Sequence, residues 1–227
     1  MKISGYLGFS LIDYPGKPSF VIFTQGCNFR CPFCHNPELI STRKKGTYSE
    51  DFIIEEIDRR RKIIKGIVIT GGEPTLQEDL PSFLFKLKRK RYSIKLDTNG
   101  SNPKMLIELI KSKLVDYVAM DFKTSPSKYA IAIGLSEELA QKYVSKIKES
   151  LRILKESNIN FEIRTTVVPN IVEKEDIVEI KNIIEDVPYF LQTFKPEKTL
   201  NHNYRNLAPY PKEYLEELSI LSKGMLR

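Results

Sequence analysis

The sequence predicts an α/β protein whose parallel sheet curls into a partial (β/α)6 barrel of the TIM type. Short β-rich segments alternate with longer amphipathic segments, which is typical of βα units around a parallel sheet. Six such strands are predicted, fewer than the eight of a closed barrel, so one side is expected to stay open. The 227 residues, 41% of them hydrophobic, are enough to bury one sizeable core.

The first predicted strand is the apolar run at residues 19–24, SFVIFT. The other strands are predicted near residues 66–70, 92–97, 115–121, 160–168 and 188–194. Helices are predicted near residues 49–62, 77–90, 103–112, 139–157, 173–185 and 211–223. Ser49 precedes an acidic first turn, and Asn102 stands before Pro103, which is typical of helix N-termini.

No internal repeat, linker or shift in composition separates a second domain. We therefore expect one domain over residues 1–227. Its predicted parts are a lead-in hairpin at 1–18, the partial barrel at 19–195, and a C-terminal loop and helix at 196–227. The connections at 124–136 and 195–210 are expected to be the most irregular.

No nucleic-acid or membrane partner is expected, but charge alone does not decide this, because a basic rim for nucleic acid or for an acidic partner is the alternative to solvated faces. Lys and Arg number 36 against 29 for Asp and Glu, but the excess is spread along helix-like stretches, which favours solvated faces. No folded nucleic-acid motif is present. The sequence also lacks a run of signal-peptide or membrane-spanning character, so a cytoplasmic location is expected.

All three cysteines of the chain, Cys27, Cys31 and Cys34, stand in one C-x3-C-x2-C run directly after the first strand. Three thiolates from one loop can hold a four-iron cluster, and because no fourth cysteine exists, one iron stays free for an external ligand. The alternatives are structural zinc completed by His35 or His202, for which the spacing is unusual, and buried inert thiols.

Polar residues follow several predicted strands, at the edge where parallel barrels bind ligands. These segments are Thr70-Gly71-Gly72-Glu73-Pro74, Asp97-Thr98-Asn99-Gly100 and Asp121-Phe122-Lys123. Asp121 and Lys123 share one face of a strand, and Arg164 lies inside another strand, where a charge needs an anion or a partner. The alternatives are a simple turn at residues 70–74, a surface ion pair between Asp121 and Lys123, and a structural salt bridge for Arg164.

The run C-x3-C-x-aromatic-C, with Phe33 as the aromatic residue, resembles the defining motif of the radical S-adenosylmethionine (SAM) superfamily, and Gly71-Gly72-Glu73 resembles its GGE motif. The resemblance implies a [4Fe-4S] cluster on the three cysteines, with SAM bound to the open iron. The residues that it implies around SAM are Phe33 near the adenine, Gly71, Gly72 and Glu73 near the amino group, and Asp121, Lys123 and Arg164 near the amino, carboxylate or ribose groups. It also implies a monovalent cation held by Asp97, Thr98 and Asp121. The alternative role for Asp97 and Thr98 is to cap the turn that ends at Gly100. The alternative role for Phe33 is packing in the hydrophobic core.

Three further segments narrow the resemblance: Ser10–Gly16 (SLIDYPG), Phe23–Asn28 (FTQGCN) and Cys34–Glu38 (CHNPE). They resemble the glycyl-radical enzyme activating proteins, and most closely the second family of anaerobic ribonucleoside-triphosphate reductase activating proteins. This implies reductive cleavage of SAM, a glycyl radical made on a partner enzyme, and a flavodoxin- or ferredoxin-like electron donor. Every cysteine is used by one cluster, so no auxiliary cluster is expected.

Several alternatives share parts of the pattern. Pyruvate formate-lyase activating enzymes share the Cys-His-Asn and Asp-Thr-Asn-Gly elements, and 7-carboxy-7-deazaguanine synthase, which acts on a small molecule, shares the cysteine spacing. A non-enzymatic metal-binding or scaffold protein is the third class. Gln192 and His202 are candidates to approach adenine or substrate, and the alternative for His202, a surface position, is the commoner outcome for a histidine.

Overall fold

The computed structural model describes all residues from 1 to 227 and contains one eight-stranded sheet, ordered β1 to β8 as in the chain. The strands are β1 Ile3–Ser10, β2 Ser19–Thr24, β3 Gly66–Gly71, β4 Ser93–Thr98, β5 Tyr117–Asp121, β6 Asn160–Val167, β7 Tyr189–Thr193 and β8 Met225–Leu226. β1 pairs with β2 antiparallel, and the following pairs from β2 to β8 are all parallel. β1 and β8 lie at opposite ends of the strand order, so the sheet keeps one open side.

The six predicted strands are β2 to β7, and the prediction of an open, partial barrel is confirmed. Two edge strands were not predicted as part of the sheet. β1 is the long first strand of the expected lead-in hairpin, and β8 spans two residues, Met225–Leu226, too few to show a period in the sequence. The division into parts within one domain stays a prediction.

The helices are α1 Glu50–Arg59, α2 Leu80–Arg89, α3 Pro103–Lys111, α4 Tyr129–Ile133, α5 Glu137–Glu156, α6 Lys174–Ile184 and α7 Lys212–Ser222. Both predicted caps are confirmed, because the Ser49 side chain accepts from the Phe52 N–H at 3.2 Å and the Asn102 side chain from the Met105 N–H at 3.3 Å. α4 was not predicted and lies inside the connection expected to be irregular. None of the helices is long and apolar enough to cross a membrane.

The two faces of the sheet differ in chemistry. One face packs on the helices and contributes to a core of 47 buried residues, which includes Ile94 and Leu96 of β4. Side chains alternate along a strand, so Lys95 and Asp97 of the same strand point to the other face, which we call the inner face. Its lower part, near the start of the strands, is a small apolar cluster of Tyr14, Val21 and Val68. Above that cluster the inner face is charged.

Candidate active site

The cysteine loop, residues 25–36, follows β2 and is fixed by backbone hydrogen bonds at its start. The Gly26 N–H donates to the Leu39 carbonyl at 2.7 Å, and the Cys27 N–H donates to the Ile40 carbonyl at 3.0 Å. Gly26 has φ +100, a value that residues other than glycine rarely adopt. The first cysteine is therefore held against the segment that leaves the loop.

Two distant segments hold the middle of the cysteine loop. The Arg30 N–H donates to the Ile133 carbonyl of α4 at 2.8 Å, and the Asn201 N–H donates to the Pro32 carbonyl at 2.9 Å. Gly134 ends α4 at φ +64, and a Cβ there would lie 2.3 Å from the Arg30 carbonyl oxygen. The irregular connections at 124–136 and 195–210 thus position the loop that carries the cysteines.

The three cysteine side chains face a common cavity, Cys31 buried and the other two half-buried, and all three are free thiols. Burial raises the pKa of Cys27 to about 11 and that of Cys31 to about 12, and it also raises the pKa of Cys34. These thiols are therefore protonated at neutral pH until a metal favours the thiolate form.

The structure does not assemble a zinc site from cysteines and histidines. No group of three or more His, Cys, Asp or Glu side chains converges on a point that could hold one ion. His35 Nε2 lies 2.9 Å from the Lys195 carbonyl oxygen, and His202 is exposed. Zinc gathers four ligands around one ion, whereas a four-iron cluster takes each cysteine on a different iron. The three cysteines line one cavity, as the ligands of a single cluster would.

The paired glycines after β3 are required by the packing of the chain itself. Gly71 has φ +114, and a Cβ there would lie 2.3 Å from the Thr24 nitrogen. A Cβ on Gly72 would lie 2.1 Å from the Gly26 carbonyl oxygen, which also accepts from the Glu73 N–H at 2.8 Å. The Gly71 backbone thus approaches Thr24 of β2, and the Gly72 backbone approaches Gly26 of the cysteine loop. Both glycines also line the cavity.

Glu73 joins two strand ends through its buried carboxylate, which is 1% exposed. It accepts from the Thr75 hydroxyl at 2.5 Å, the Thr98 hydroxyl at 2.7 Å and the Asn99 N–H at 2.7 Å, and burial raises its pKa. The Thr98 hydroxyl in turn accepts from the Gly100 N–H at 3.1 Å, which is the capping role predicted as the alternative. A contact of Glu73 with the SAM amino group stays a prediction.

Five residues of the inner face form what we call the charged cluster: Lys95, Asp97, Asp121, Lys123 and Arg164. Arg164 Nε lies 2.9 Å from Asp121 Oδ1, and Arg164 Nη1 lies 3.3 Å from Asp97 Oδ2. Lys123 Nζ lies 2.7 Å from Asp121 Oδ2, and Lys95 Nζ lies 2.5 Å from Asp97 Oδ1. Burial alone would raise the pKa of Asp121, but the charges of Arg164 and Lys123 lower it to about 2. The ion pairs are therefore present. Asp97, Asp121, Lys123 and Arg164 line the cavity, and Lys95 lines an adjoining space that also contains Arg164.

A single cavity of about 410 Å³ brings the predicted site residues together. It is lined by Cys27, Cys31, Phe33, Cys34, Gly71, Gly72, Glu73, Asp97, Thr98, Asp121, Lys123 and Arg164. Phe33 also belongs to the hydrophobic core, so both roles considered for it are compatible with its position. Gln192 lines the cavity and His202 does not. A larger cavity of about 810 Å³ lies before β5 and β6, at the other end of the strands, and contains none of these residues.

Several lining residues were not predicted. They are Asp13, Phe29, Asn36, Ile40 and Thr166, whereas Thr70 and Asn99 belong to the strand-end segments predicted to lie at this edge. Thr166 could have been found from strand alternation, since it lies two residues after Arg164 on β6. Asp13 arrives from the turn between β1 and β2, and no local pattern in the sequence places that turn over the cavity.

Comparisons with known proteins agree with this geometry. The model of the radical SAM superfamily matches residues 21–187. A protein of Methanocaldococcus jannaschii, whose name marks it as an inferred glycyl-radical enzyme activating enzyme, is 39% identical over 97% of this chain and 91% of its own. The pyruvate formate-lyase-activating enzyme of Streptococcus mutans is 30% identical over 93% of this chain and 85% of its own. A solved structure of TYW1 with a lysine-pyruvate adduct matches 90% of this chain and 72% of its own with a TM-score of 0.65, and at 16% identity it shows the fold alone. The chain belongs to the radical SAM superfamily.

Proposed function

We propose that this radical SAM enzyme generates a glycyl radical on a separate protein, and that an anaerobic ribonucleotide reductase is this partner. The observation that carries the proposal is the meeting of the cysteine loop and the charged cluster in one cavity, which opens beside exposed apolar residues. The two relatives described above, which span most of this chain, support the activating role. The partner rests on the resemblance of residues 10–38 alone.

Within the cavity, each group has a separate task. Cys27, Cys31 and Cys34 hold the cluster, and the lack of a fourth cysteine leaves one iron for SAM. The chemistry that a reduced cluster and SAM supply is one-electron cleavage of SAM to methionine and a 5′-deoxyadenosyl radical. Phe33 offers an apolar surface to the adenine ring, because its side chain lines the cavity while it packs on the core.

The charged cluster suits the amino-acid end of SAM, which carries both an ammonium and a carboxylate group. Asp121 offers carboxylate oxygens to an ammonium, and Arg164 and Lys123 offer N–H donors to a carboxylate. Their mutual ion pairs hold these side chains in place before a ligand arrives, so little side-chain entropy is lost on binding.

Access to the cavity favours a protein substrate. A second space of about 640 Å³ shares Asp13, His35, Arg164, Thr166 and Gln192 with the cavity and extends to the turn between β1 and β2. In that turn Leu11 is 67% exposed and Ile12 is 89% exposed. Neighbouring exposed apolar side chains mark surfaces that bind other proteins. A small-molecule enzyme would instead need polar side chains that close the barrel around its substrate.

The test is anaerobic reconstitution with iron and sulfide, reduction, and incubation with SAM and either an anaerobic ribonucleotide reductase or a pyruvate formate-lyase. Formation of 5′-deoxyadenosine together with an electron paramagnetic resonance signal of a glycyl radical on the reductase is expected. A radical on the lyase alone would show that the partner is a pyruvate formate-lyase and not a ribonucleotide reductase. Deoxyadenosine without any protein radical would overturn the activating role and point to a small-molecule substrate.

A surface variant sharpens this test. Ile12→Glu places a charge in the exposed turn, and we expect the yield of glycyl radical per deoxyadenosine to fall about tenfold, which corresponds to about 1.4 kcal/mol of docking energy. Val178→Glu is the matched control, because Val178 is also exposed, at 40%, but lies on α6 away from the cavity lining. Equal yields from the two variants would show that the turn between β1 and β2 is not the docking surface.

A further inference from the structure

Lys95 is a buried lysine that the sequence did not single out. It stands two residues before Asp97 on β4, so both side chains point to the inner face. Its side chain is 3% exposed, and its Nζ lies 2.5 Å from Asp97 Oδ1. A lysine is rarely buried to this degree without a paired charge, because removing an ammonium group from water is costly. Lys95 is therefore a fixed positive charge within the active-site cluster.

The oxygen atoms expected to hold a monovalent cation already have other partners. Asp97 uses Oδ1 for Lys95 and Oδ2 for Arg164, and Asp121 uses Oδ1 for Arg164 and Oδ2 for Lys123. Asp97 and Asp121 are two of the residues at which the resemblance to activating enzymes implies a monovalent cation. Hard cations bind through free oxygen lone pairs, most strongly when the oxygens carry uncompensated negative charge. Each of these four oxygens keeps a lone pair for a hydrogen bond, but its negative charge is already compensated by a cationic side chain.

Thr98, the third expected ligand, faces the other side of its strand. Its hydroxyl donates to Glu73 Oε1 at 2.7 Å and accepts from the Gly100 N–H at 3.1 Å. Successive side chains of a strand point to opposite faces, which separates the Thr98 hydroxyl from the Asp97 carboxylate. All three residues line the cavity, but the Thr98 hydroxyl is engaged with Glu73 and Gly100 and does not join the two aspartates.

The balance of charge leads to the same result. The charged cluster contains two carboxylates and three cationic groups, which leaves one positive charge in excess. The next carboxylate on the inner face, that of Glu162, is held by both Nη atoms of Arg227 at 2.8 and 2.9 Å. The other carboxyl groups that line the cavity, those of Asp13 and Glu73, are hydrogen-bonded to Ser10 and to Thr98 and lie outside the charged cluster. An alkali ion added between Asp97 and Asp121 would meet only carboxylates that are already ion-paired and would be repelled by the cationic groups.

We propose that Lys95 is a built-in cation that replaces the monovalent ion, so that SAM binds to this protein independently of alkali metals. The single excess positive charge complements the carboxylate of the ligand without an added ion. This inference requires that SAM binds in the cavity, and it is independent of which protein the enzyme activates.

The first test measures the dissociation constant of SAM for the reconstituted wild-type protein by titration calorimetry. The buffers contain potassium, sodium or tetramethylammonium chloride at matched ionic strength, because tetramethylammonium is too large to enter a metal site. The three constants are expected to agree within about twofold. Binding that weakens about tenfold in tetramethylammonium would overturn the proposal, whatever the variants do.

The second test converts the site. Lys95→Met removes the ammonium group at similar side-chain size and frees Asp97 Oδ1. SAM binding to this variant is expected to weaken about tenfold in tetramethylammonium and to recover in potassium. Lys90→Met is the matched control, since Lys90 also pairs with one aspartate, Asp58, at 2.8 Å, but Asp58 does not line the cavity, whereas Asp97 does. A Lys95→Met variant with no response to potassium would contradict the proposal.

A third measurement needs neither cluster nor SAM. In the metal-free protein, potassium is expected to raise the melting temperature of Lys95→Met relative to tetramethylammonium, while the wild type and Lys95→Arg respond equally to both salts. Lys95→Arg keeps the positive charge. If Lys95→Met does not fold, the equal response of Lys95→Arg and the wild type to the two salts still tests the proposal. A potassium response in the wild type would overturn the built-in cation. A reconstituted protein that binds no SAM, with these melting results as expected, would instead refute the proposed function.

Discussion

The cysteine loop and the charged cluster line the same cavity, but they are stabilised by different groups. In the loop, backbone N–H and carbonyl groups make the contacts, as between Arg30 and Ile133 and between Asn201 and Pro32, and the thiol side chains remain available to iron. In the cluster, the side chains stabilise one another through ion pairs, such as Arg164 with Asp121. Substitution of a cysteine in the loop should therefore impair iron binding without unfolding the protein. Substitution in the charged cluster should impair both SAM binding and the stability of the fold.

The largest effect is expected from Cys31→Ala. Removing one of the three thiols should abolish cluster binding, because a loop with two cysteines leaves a second iron without its protein ligand. The free energy of unfolding of the metal-free protein should fall by only about 1 kcal/mol, since one buried sulfur atom is lost and the backbone contacts of the loop stay. Iron and sulfide analysis with visible absorbance measures the first effect, and urea unfolding followed by circular dichroism measures the second.

Two results would contradict the separation of chemistry from folding. Iron retained at the wild-type level, with the absorbance of the cluster, would show that Cys31 is not a ligand. Loss of several kcal/mol from the metal-free protein would show that the thiol itself supports the fold. Either result would remove the contrast between the loop and the charged cluster.

The sequence predicted the loop better than the cluster, for a physical reason. The cysteines are contiguous, so their spacing of three and two intervening residues is visible in one run. Asp97, Asp121 and Arg164 lie on three strands, and their pairing depends on a register that aligns Asp97 with Ala119 and Asp121 with Arg164. That register arises from the packing of whole strands and helices, which local patterns do not encode.

Lys95, in the site, and α4, in the fold, also could not be predicted from local sequence patterns. Alternation along β4 places Lys95 on the inner face, but only the neighbouring strands show that this face is buried and charged at that height. α4 has five residues, too few for an apolar period, and its ends are set by tertiary contacts such as that of Gly134 with Arg30. The six central strands were predictable because each is an apolar run bounded by polar or turn residues.

The second expected effect concerns the charged cluster. Arg164→Met leaves Asp97 and Asp121 each without one partner at a site where the arginine side chain is 13% exposed. We expect the metal-free protein to lose about 3 kcal/mol of unfolding free energy, since breaking a buried ion pair leaves uncompensated charge. SAM binding to the reconstituted protein should weaken in parallel. Urea unfolding and titration calorimetry measure the two effects.

Arg152→Met is the matched control for that substitution. Arg152 pairs with Glu156 on the surface of α5, and both side chains are 61% exposed. We expect a loss below about 0.5 kcal/mol, because exposed pairs one helical turn apart contribute little. Equal losses from the two arginine variants would remove the proposed link between the charged cluster and the stability of the fold.

The smallest effect is the acid dependence of stability, which isolates Asp121. The pKa of its carboxyl is about 2 in the folded protein and about 3.9 in an unfolded chain. The carboxylate therefore stabilises the fold above pH 4, and this contribution, about 2 kcal/mol at neutral pH, is lost as the pH falls towards 2. Burial raises the pKa of Glu73, which acts in the opposite direction, so the difference between the wild type and Asp121→Asn is the quantity to follow.

In urea unfolding of the metal-free proteins, Asp121→Asn should be less stable than the wild type by about 2 kcal/mol at pH 7, and roughly half of that gap should close by pH 3. Asp186→Asn, at a side chain that is 96% exposed, controls for the loss of one charge and should follow the wild type throughout. A gap that stays constant between pH 7 and pH 3 would mean that hydrogen bonding at Asp121, and not its ionisation beside Arg164 and Lys123, stabilises this part of the inner face. In that case the charged cluster would resemble the cysteine loop, because its charges would contribute to ligand binding and not to the stability of the fold.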